Sequence, residues 1–338
     1  MVEHIVAVDI GGTNTRVSIA GPCSFLYKVV QPTELEGDNT TIPNQVARLI
    51  EHARGYMSIL SIDAVGVSTC SPFKRRGKYR SVIAPNLCGG LAKERGMIPN
   101  DWTEIPLEEV LSKLYHNIEI GNDCVTAVVA ERTFGAAQGE DNCVYVTWST
   151  GIGTGAYVDG VLIKGKNGNA PHGGHIYIAE SGPQCGCGNY GDLEALCSGT
   201  AIGREYGEGA TSADVFDAYA GRNNKAIEIV ERAAKNFARG LASINAVLDT
   251  RVFVIGGSVF ENNKDTLLPL VKDEFYRSFP ALSESVEIRP SALGSYLEDM
   301  AALSLVIPES WVEHWLINEP WKTAPPTDKL PRYKEMRS

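Results

Sequence analysis

Three kinds of residue grouping in this chain could do chemistry. The first is the stretch CGCGNYGDLE, in which Cys185 and Cys187 stand one residue apart, followed by Gly188, Gly191, Asp192 and Glu194. Two thiols so close form one arm of a metal knuckle, but the second pair of a C-x-x-C…C-x-x-C finger is missing. The second kind is glycine-rich. Asp9-Ile-Gly-Gly-Thr-Asn-Thr-Arg16 sets a carboxylate ahead of a tight turn. Gly11 and Gly12 let backbone amides approach phosphate oxygens, Thr13 adds a donor beside Asn14, and Asp9 is placed to hold Mg²⁺ directly or through water. A second loop, Ser149-Thr-Gly-Ile-Gly-Thr-Gly155, offers Ser149, Thr150, Gly151 and Gly153, and Gly256-Gly257 closes a buried apolar run. Neither loop fits the P-loop or dinucleotide fingerprint, and either alone is compatible with an ordinary glycine hairpin. The third kind is the pair Asn122-Asp123. A carboxylate there could take the proton of a hydroxyl attacking a γ-phosphate; the local alternative is that Asp123 caps the helix beginning near Val125.

Hydrophobic periodicity says what must position these groups. HIVAVDI reads as a strand running into the first glycine loop, with further strands at 15–20 and 25–30 making an antiparallel meander. Val46, Leu49, Ile50 and Ala53 recur at helical spacing, AVGVS (64–68) is a buried strand, and PLEEVLSKLY (106–115) opens a helix with Pro at N1. IEIG leads to Asn122-Asp123 and then an Ala-rich helix. The second half repeats the scheme as strand, glycine loop, strand, turn and strand over 142–163, with helices at about 192–205, 212–220 and 224–248. RVFVIGGS is a strand meeting a glycine turn, a helix follows near 264–277, and the last lies at about 296–306. The two strand–glycine–strand units begin 140 residues apart, at Asp9 and Ser149. They suggest two related α/β lobes facing one another across a central cleft. Beyond Pro308, Trp311, Trp315 and Trp321 lie among prolines, which reads as an extension packed on its own lobe or an arm to another subunit.

Composition narrows the class. The chain has 338 residues, 43% of them hydrophobic, enough for two domains with real cores. A net charge of −10 argues against non-specific nucleic-acid binding. No apolar run approaches the roughly 20 residues needed to cross a bilayer, and no signal peptide is recognisable at the N-terminus, so no membrane partner is expected. The eight cysteines lack the spacing of a disulfide framework, which suits a reducing cytoplasm.

Taken in order, DIGGTNTR, GVSTCSP, PNL, NDCVTAVVAE, STGIGTG, GGHIYI, CGCGNYGDLE and VIGGSVF resemble the ROK family of sugar kinases and repressors from about residue 5 to about residue 305. The resemblance implies an α/β, actin-like (RNase H-like) two-lobed ATPase fold. It implies a small lobe over 1–117 completed by the helix at about 296–307, a large lobe over 118–295, and an extension over 308–338. It further implies ATP, Mg²⁺ and phosphorylation of a hexose or hexosamine, at the 6-hydroxyl, by a homodimer or homotetramer in the cytoplasm. Asp123 matches the family's catalytic base. Asn122, Asp123, His175, Glu194 and Asn86 match sugar contacts, while Ser149, Thr150, Gly151, Gly153 and the first loop would hold the phosphates, with Gly256 and Gly257 beside the adenosine.

The resemblance also completes the metal arm. The family's structural zinc joins the His of a Gly-His motif to three cysteines; His175, Cys185 and Cys187 match, and the third cysteine position is Asp192. Carboxylate oxygen ligates zinc well, so a His-Cys-Cys-Asp tetrahedron is expected; the alternative is that the metal was lost with the cysteine, leaving a glycine-rich turn. Two further departures bear on the acceptor. His172 stands where the family has a sugar-binding glutamate, and Cys70-Ser71-Pro72 replaces a Pro-Gly-Pro turn. Imidazole donates one hydrogen bond and accepts one where a carboxylate only accepts, so glucose need not be preferred; another epimer, an N-acylhexosamine, a glycoside or a cyclitol would answer. Two rival readings are a repressor, for which a DNA-binding domain ahead of residue 9 would be needed, and a degenerate sugar sensor.

Overall fold

The computed structural model describes residues 2–91 and 98–332, in two units. One comprises residues 1–133, 164–170 and 295–338, the other 134–163 and 171–294.

The first unit is built on β1 (Ile5–Ile10), β2 (Asn14–Ala20), β3 (Phe25–Pro32), β4 (Ala64–Thr69) and β7 (Ile118–Asn122), with the hairpin β5 (Phe73–Arg76) and β6 (Tyr79–Val82) beside them. Its sheet runs β13-β3-β2-β1-β4-β7, where β13 is Thr327–Lys329. The β1–β2–β3 meander is antiparallel, and β4 and β7 continue it in parallel. All six residues of β4 are buried, as expected of a parallel strand covered on both faces, whereas β3 strictly alternates between buried and half-buried positions. Helix α1 (Thr41–Met57) packs on β2 and β3 through Ile42, Val46, Leu49, Ile50 and Ala53, the periodic residues read from the sequence. Helix α10 (Leu297–Leu303) lies against β1 and β4. Gly66 makes that contact possible, since a Cβ there would stand 2.0 Å from the Ala302 carbonyl oxygen. Helix α2 (Leu107–Leu111) is shorter than the 106–115 expected, with Pro106 at its cap rather than N1. Helix α3 (Asp123–Phe134) follows β7 directly.

The second unit repeats the plan. β8 (Cys143–Trp148), β9 (Ile152–Val158) and β10 (Val161–Leu162) form an antiparallel meander, and β11 (Val252–Gly256) and β12 (Glu287–Pro290) extend β8 in parallel, giving the order β10-β9-β8-β11-β12. Its core gathers on α7 (Asn224–Leu248), whose Ile229, Val230, Ala233, Phe237, Leu241 and Ile244 are buried at helical spacing. Phe237 stacks on Trp148 with centroids 4.0 Å apart. The single helix expected at 192–205 is two, α4 (Leu193–Cys197) and α5 (Gly199–Tyr206), each with its own side-chain cap, Asp192 and Ser198. Helix α6 (Ser212–Ala220) opens with a Thr211–Asp214 capping box. Helix α8 (Ser258–Phe275) starts at once after Gly257, and non-helical Asn263 breaks its periodicity where the sequence reading begins it; α9 (Pro280–Ser283) is a single turn.

The C-terminal segment packs on the first unit. Helix α11 (Glu309–Asn318) buries Trp311 and Trp315. Trp315 donates to the Pro22 carbonyl at 3.0 Å and meets Phe25 edge-on at 5.2 Å. β13 then pairs in parallel with β3, covering what would be an open edge.

Candidate active site and metal centre

In the first unit, the antiparallel register sets Asp9 opposite Arg16 across the β1–β2 hairpin. The turn is closed by Gly11 N–H donating to the Asn14 carbonyl at 2.9 Å. Arg16 donates to Asp9 at 2.8 Å and reaches Glu298, on the first turn of α10, at 2.5 Å. Burial pushes the Asp9 carboxyl up to about 7; Arg16 opposes this, and the negative charges of Glu298 and Asp123 add to it.

At the end of β7 the structure separates two roles that the sequence left open. Asn122 is the helix cap, its Oδ1 accepting from the N–H groups of Cys124 at 3.0 Å and Val125 at 3.3 Å, while its amide donates to Ser71 at 2.8 Å. Asp123 is the first helical residue, and its Oδ1 accepts from Cys124 N–H at 2.8 Å. Its side chain keeps accessible surface, yet the protein crowded around it desolvates the carboxyl and raises it above the usual range. A cavity of about 360 Å³ gathers Asp9, Gly11, Gly12, Thr13, Asn14, Asn86 and Asp123, together with Arg16, Cys70 and Glu298. Of the last three, the sequence singles out only Cys70, within the altered Cys70-Ser71-Pro72 turn. The hairpin register could have found Arg16. Glu298 arrives from 289 residues beyond Asp9 with no local signal.

The second unit gathers another group. Between β8 and β9, Ser149 N–H donates to the Gly151 carbonyl at 3.0 Å, and Ser149 and Ser258 share a hydroxyl contact at 2.8 Å. Gly257 takes φ = 93°, and a Cβ on it would stand 2.6 Å from the Trp148 carbonyl. The Gly256-Gly257 pair is therefore required by the close approach of β8, a Cβ on Gly256 standing 2.6 Å from the Tyr145 hydroxyl. Gly153 lies within β9, paired with Thr147.

Beside this turn, His175, Cys185, Cys187 and Asp192 bring one ligand atom each within 4.8 Å of one another. His175 Nδ1 lies 3.2 Å from Asp192 Oδ2 and 3.7 Å from Cys185 Sγ, and Cys187 Sγ lies 3.4 Å from the same carboxylate oxygen. A tetrahedral zinc ion with ordinary Zn–N, Zn–O and Zn–S bonds sets ligand-to-ligand edges of roughly 3.3–3.8 Å. The donor set fits zinc, with Asp192 in the third position, and three of its edges are close to tetrahedral length. Glycine again permits the approach: a Cβ on Gly174 would stand 1.9 Å from the Ile152 carbonyl oxygen. Glu194 accepts from Ile152 N–H at 2.9 Å and from the Cys185 thiol at 3.5 Å. His172 lies next to His175, ring centroids 5.8 Å apart, and burial lowers its imidazole below the ordinary value.

The model of the ROK family matches residues 5–295. The chain belongs to the ROK family. Among relatives, a glucokinase of Pyrobaculum calidifontis is 31% identical over 318 residues, covering 90% of this chain and 96% of the relative. An N-acetylmannosamine kinase of Haemophilus influenzae is 28% identical over 324 residues, covering 93% and 97%. Among solved structures, the ROK hexokinase of Thermus thermophilus matches with a TM-score of 0.76 and 29% identity, over 89% of this chain and 97% of the other. The fold is the α/β, actin-like fold of that family, and each unit is built on one main sheet. No helix among the described residues is long and apolar enough to cross a membrane.

Proposed function

We propose that the protein is an ATP-dependent sugar kinase, transferring the γ-phosphate to a hydroxyl of a hexose or hexosamine, the 6-hydroxyl being the expected one. Its ROK relatives include kinases named for both sugar types. The observation that carries the reading is the cavity in which the Gly11–Asn14 turn, Asp9 and Asp123 meet. Phosphoryl transfer asks the protein chiefly for positioning and charge stabilisation, with one base for the attacking hydroxyl. Asp123 is that base: its raised carboxyl is a better proton acceptor than an ordinary aspartate, and Asn122 shares with it the capping of α3. Asp9 is the residue to hold Mg²⁺, which would neutralise charge on the phosphates. Thr13, Asn14 and the amides of the first turn, with Ser149, Thr150, Gly151 and Gly153 of the second, bind phosphate, while Gly256 and Gly257 border the adenosine. Asn86, Asn122, His172, His175 and Glu194 orient the sugar, and a structural zinc ion holds the loop that carries the last two. His172, in place of an acceptor-only carboxylate, favours an acceptor that offers imidazole a different pairing, such as an N-acylhexosamine.

The test is ADP release by the purified protein with Mg-ATP, across hexoses, N-acetylhexosamines, glycosides and cyclitols. Turnover with one acceptor class is the expected result. ATP binding without turnover on any acceptor would replace the kinase with a degenerate sugar sensor.

A further inference from the structure

Asp192 does two things at once in this structure. Oδ2 faces His175 Nδ1 at 3.2 Å and Cys187 Sγ at 3.4 Å, inside the metal cluster. Oδ1 accepts from Ala195 N–H at 2.8 Å and caps α4. The side chain is fully buried. A cysteine here could ligate a metal but would cap poorly, because the preferred caps carry a short side-chain oxygen.

The helix so capped leads into a segment that holds the turn between β8 and β9. Glu194 accepts from Ile152 N–H at 2.9 Å. The Cys197 carbonyl accepts from the Trp148 indole at 2.7 Å. Gly199 N–H donates to the Ser149 carbonyl at 2.8 Å, and Thr200 donates to the Thr150 carbonyl from its hydroxyl at 2.9 Å and from its backbone at 3.2 Å. There is little slack in this seam. A Cβ on Gly151 would stand 2.6 Å from the Glu194 carboxylate, and one on Gly199 would stand 2.8 Å from the Ser149 carbonyl oxygen. Leu193 is likewise wedged against α7 at Gly240, where a Cβ would come within 2.4 Å of it.

We propose that Asp192 is a positioning residue that couples the metal to the Ser149–Gly151 turn, so that metal occupancy sets nucleotide affinity as well as the shape of the sugar loop. The coupling runs through the α4 cap and the hydrogen bonds that residues 194–200 make to residues 148–152. It is reciprocal: nucleotide binding must tighten the metal by the factor by which the metal tightens the nucleotide. The inference rests on the reading of the Ser149–Gly151 turn as a phosphate site.

Two substitutions pull the roles apart. Asp192→Asn keeps a capping oxygen but offers zinc only an amide; Asp192→Cys keeps a ligand but discards the cap. Zinc per chain would be measured by elemental analysis, and the Kd of a non-hydrolysable ATP analogue with Mg²⁺ by calorimetry. Circular dichroism would confirm that each variant is folded. Stripping zinc from the wild type is expected to weaken the analogue by about fivefold or more. Asp192→Asn should lose zinc and match the stripped protein. Asp192→Cys should retain zinc and still bind the analogue about fivefold more weakly. At equilibrium with a competing chelator, excess analogue should raise the zinc held by the wild type and not that held by Asp192→Cys. Unchanged nucleotide affinity in the stripped protein and both variants would overturn the coupling while leaving the kinase reading intact. A wild type that binds no nucleotide would instead remove the phosphate site, and the coupling with it.

Discussion

The two units are built on one strand plan and use it differently. Each has a three-stranded antiparallel meander continued by two parallel strands, and each places a glycine turn between the first two strands of its meander. In the first unit that turn opens on side-chain charge: Asp9, Arg16, Glu298 and Asp123 all line one cavity. In the second, the same turn is held from behind by the Glu194 carboxylate and by backbone and hydroxyl groups as far as Thr200. On the proposed function, the first turn and Asp123 serve to hold a cation and move a proton. The second turn is held in place, beside four side chains that could hold a metal ion. Equivalent position in a repeated fold therefore fixes where a ligand can sit, and the local residues decide what happens to it.

The largest effect that would expose this asymmetry is on turnover. Asp123→Asn keeps the helix start and a hydrogen-bonding amide but cannot accept a proton. It should cut kcat by about 10²–10⁴ while sugar affinity persists. Removing the half-buried hydroxyl of the second turn, which contacts Ser258, with Ser149→Ala should act mainly on nucleotide KM. Steady-state kinetics on both variants decides the matter, and equal losses in kcat would erase the division of labour proposed for the two turns.

Stability gives the next contrast. Trp148 and Trp315 are both fully buried, one per unit. Trp148 adjoins Ser149 and ties β8 to the Cys197 carbonyl, so it belongs to the framework of the second turn. Trp315 lies over Phe25 and Pro22 on the outer part of the first sheet. Trp315→Ala should cost about 3–5 kcal/mol in denaturant unfolding, the usual range for a buried tryptophan, and leave kcat and both KM values of the folded protein unchanged. A fall in kcat there would make the C-terminal segment part of the site.

How far this was legible in the sequence follows from the range of the interactions. The glycine turns and the amphipathic face of α1 show as local patterns, and turns and helix form where they are read. The ligand set of the metal cluster needed the family resemblance, because His175 lies ten residues before Cys185 and no spacing rule selects Asp192 over Glu194 or Glu180. Asn122 and Asp123 look interchangeable as caps until their hydrogen bonds are seen. Glu298 and β13 depend on chain returning from the far end of the sequence. The tryptophans among the final prolines announced a packed segment, but three residues of strand, Thr327–Lys329, carry no periodicity that could announce a sixth sheet member.

The smallest predicted effect concerns pH, and it asks which first-unit carboxyl limits the reaction. Burial raises Asp123 above its ordinary value of 3.8, and raises Asp9 to about 7. A base works when ionised. Activity that depends on either group is therefore fully present above that group's folded pKa and lost as pH falls through it. The acid limb of kcat/KM should accordingly lie above the ordinary aspartate range. The two candidates respond oppositely to the cation. If Asp9 limits, Mg²⁺ competes with its proton, and raising Mg²⁺ moves the limb to lower pH. If Asp123 limits, the limb stays where it is once Mg²⁺ is saturating. We expect a limb that moves with Mg²⁺ at low concentration and then stops, leaving the Asp123 value behind. Rate profiles at several fixed Mg²⁺ concentrations measure this directly. A limb in the ordinary aspartate range at all of them would mean that neither carboxyl is desolvated in the working enzyme, and the first turn would lose the electrostatic feature that separates it from the second.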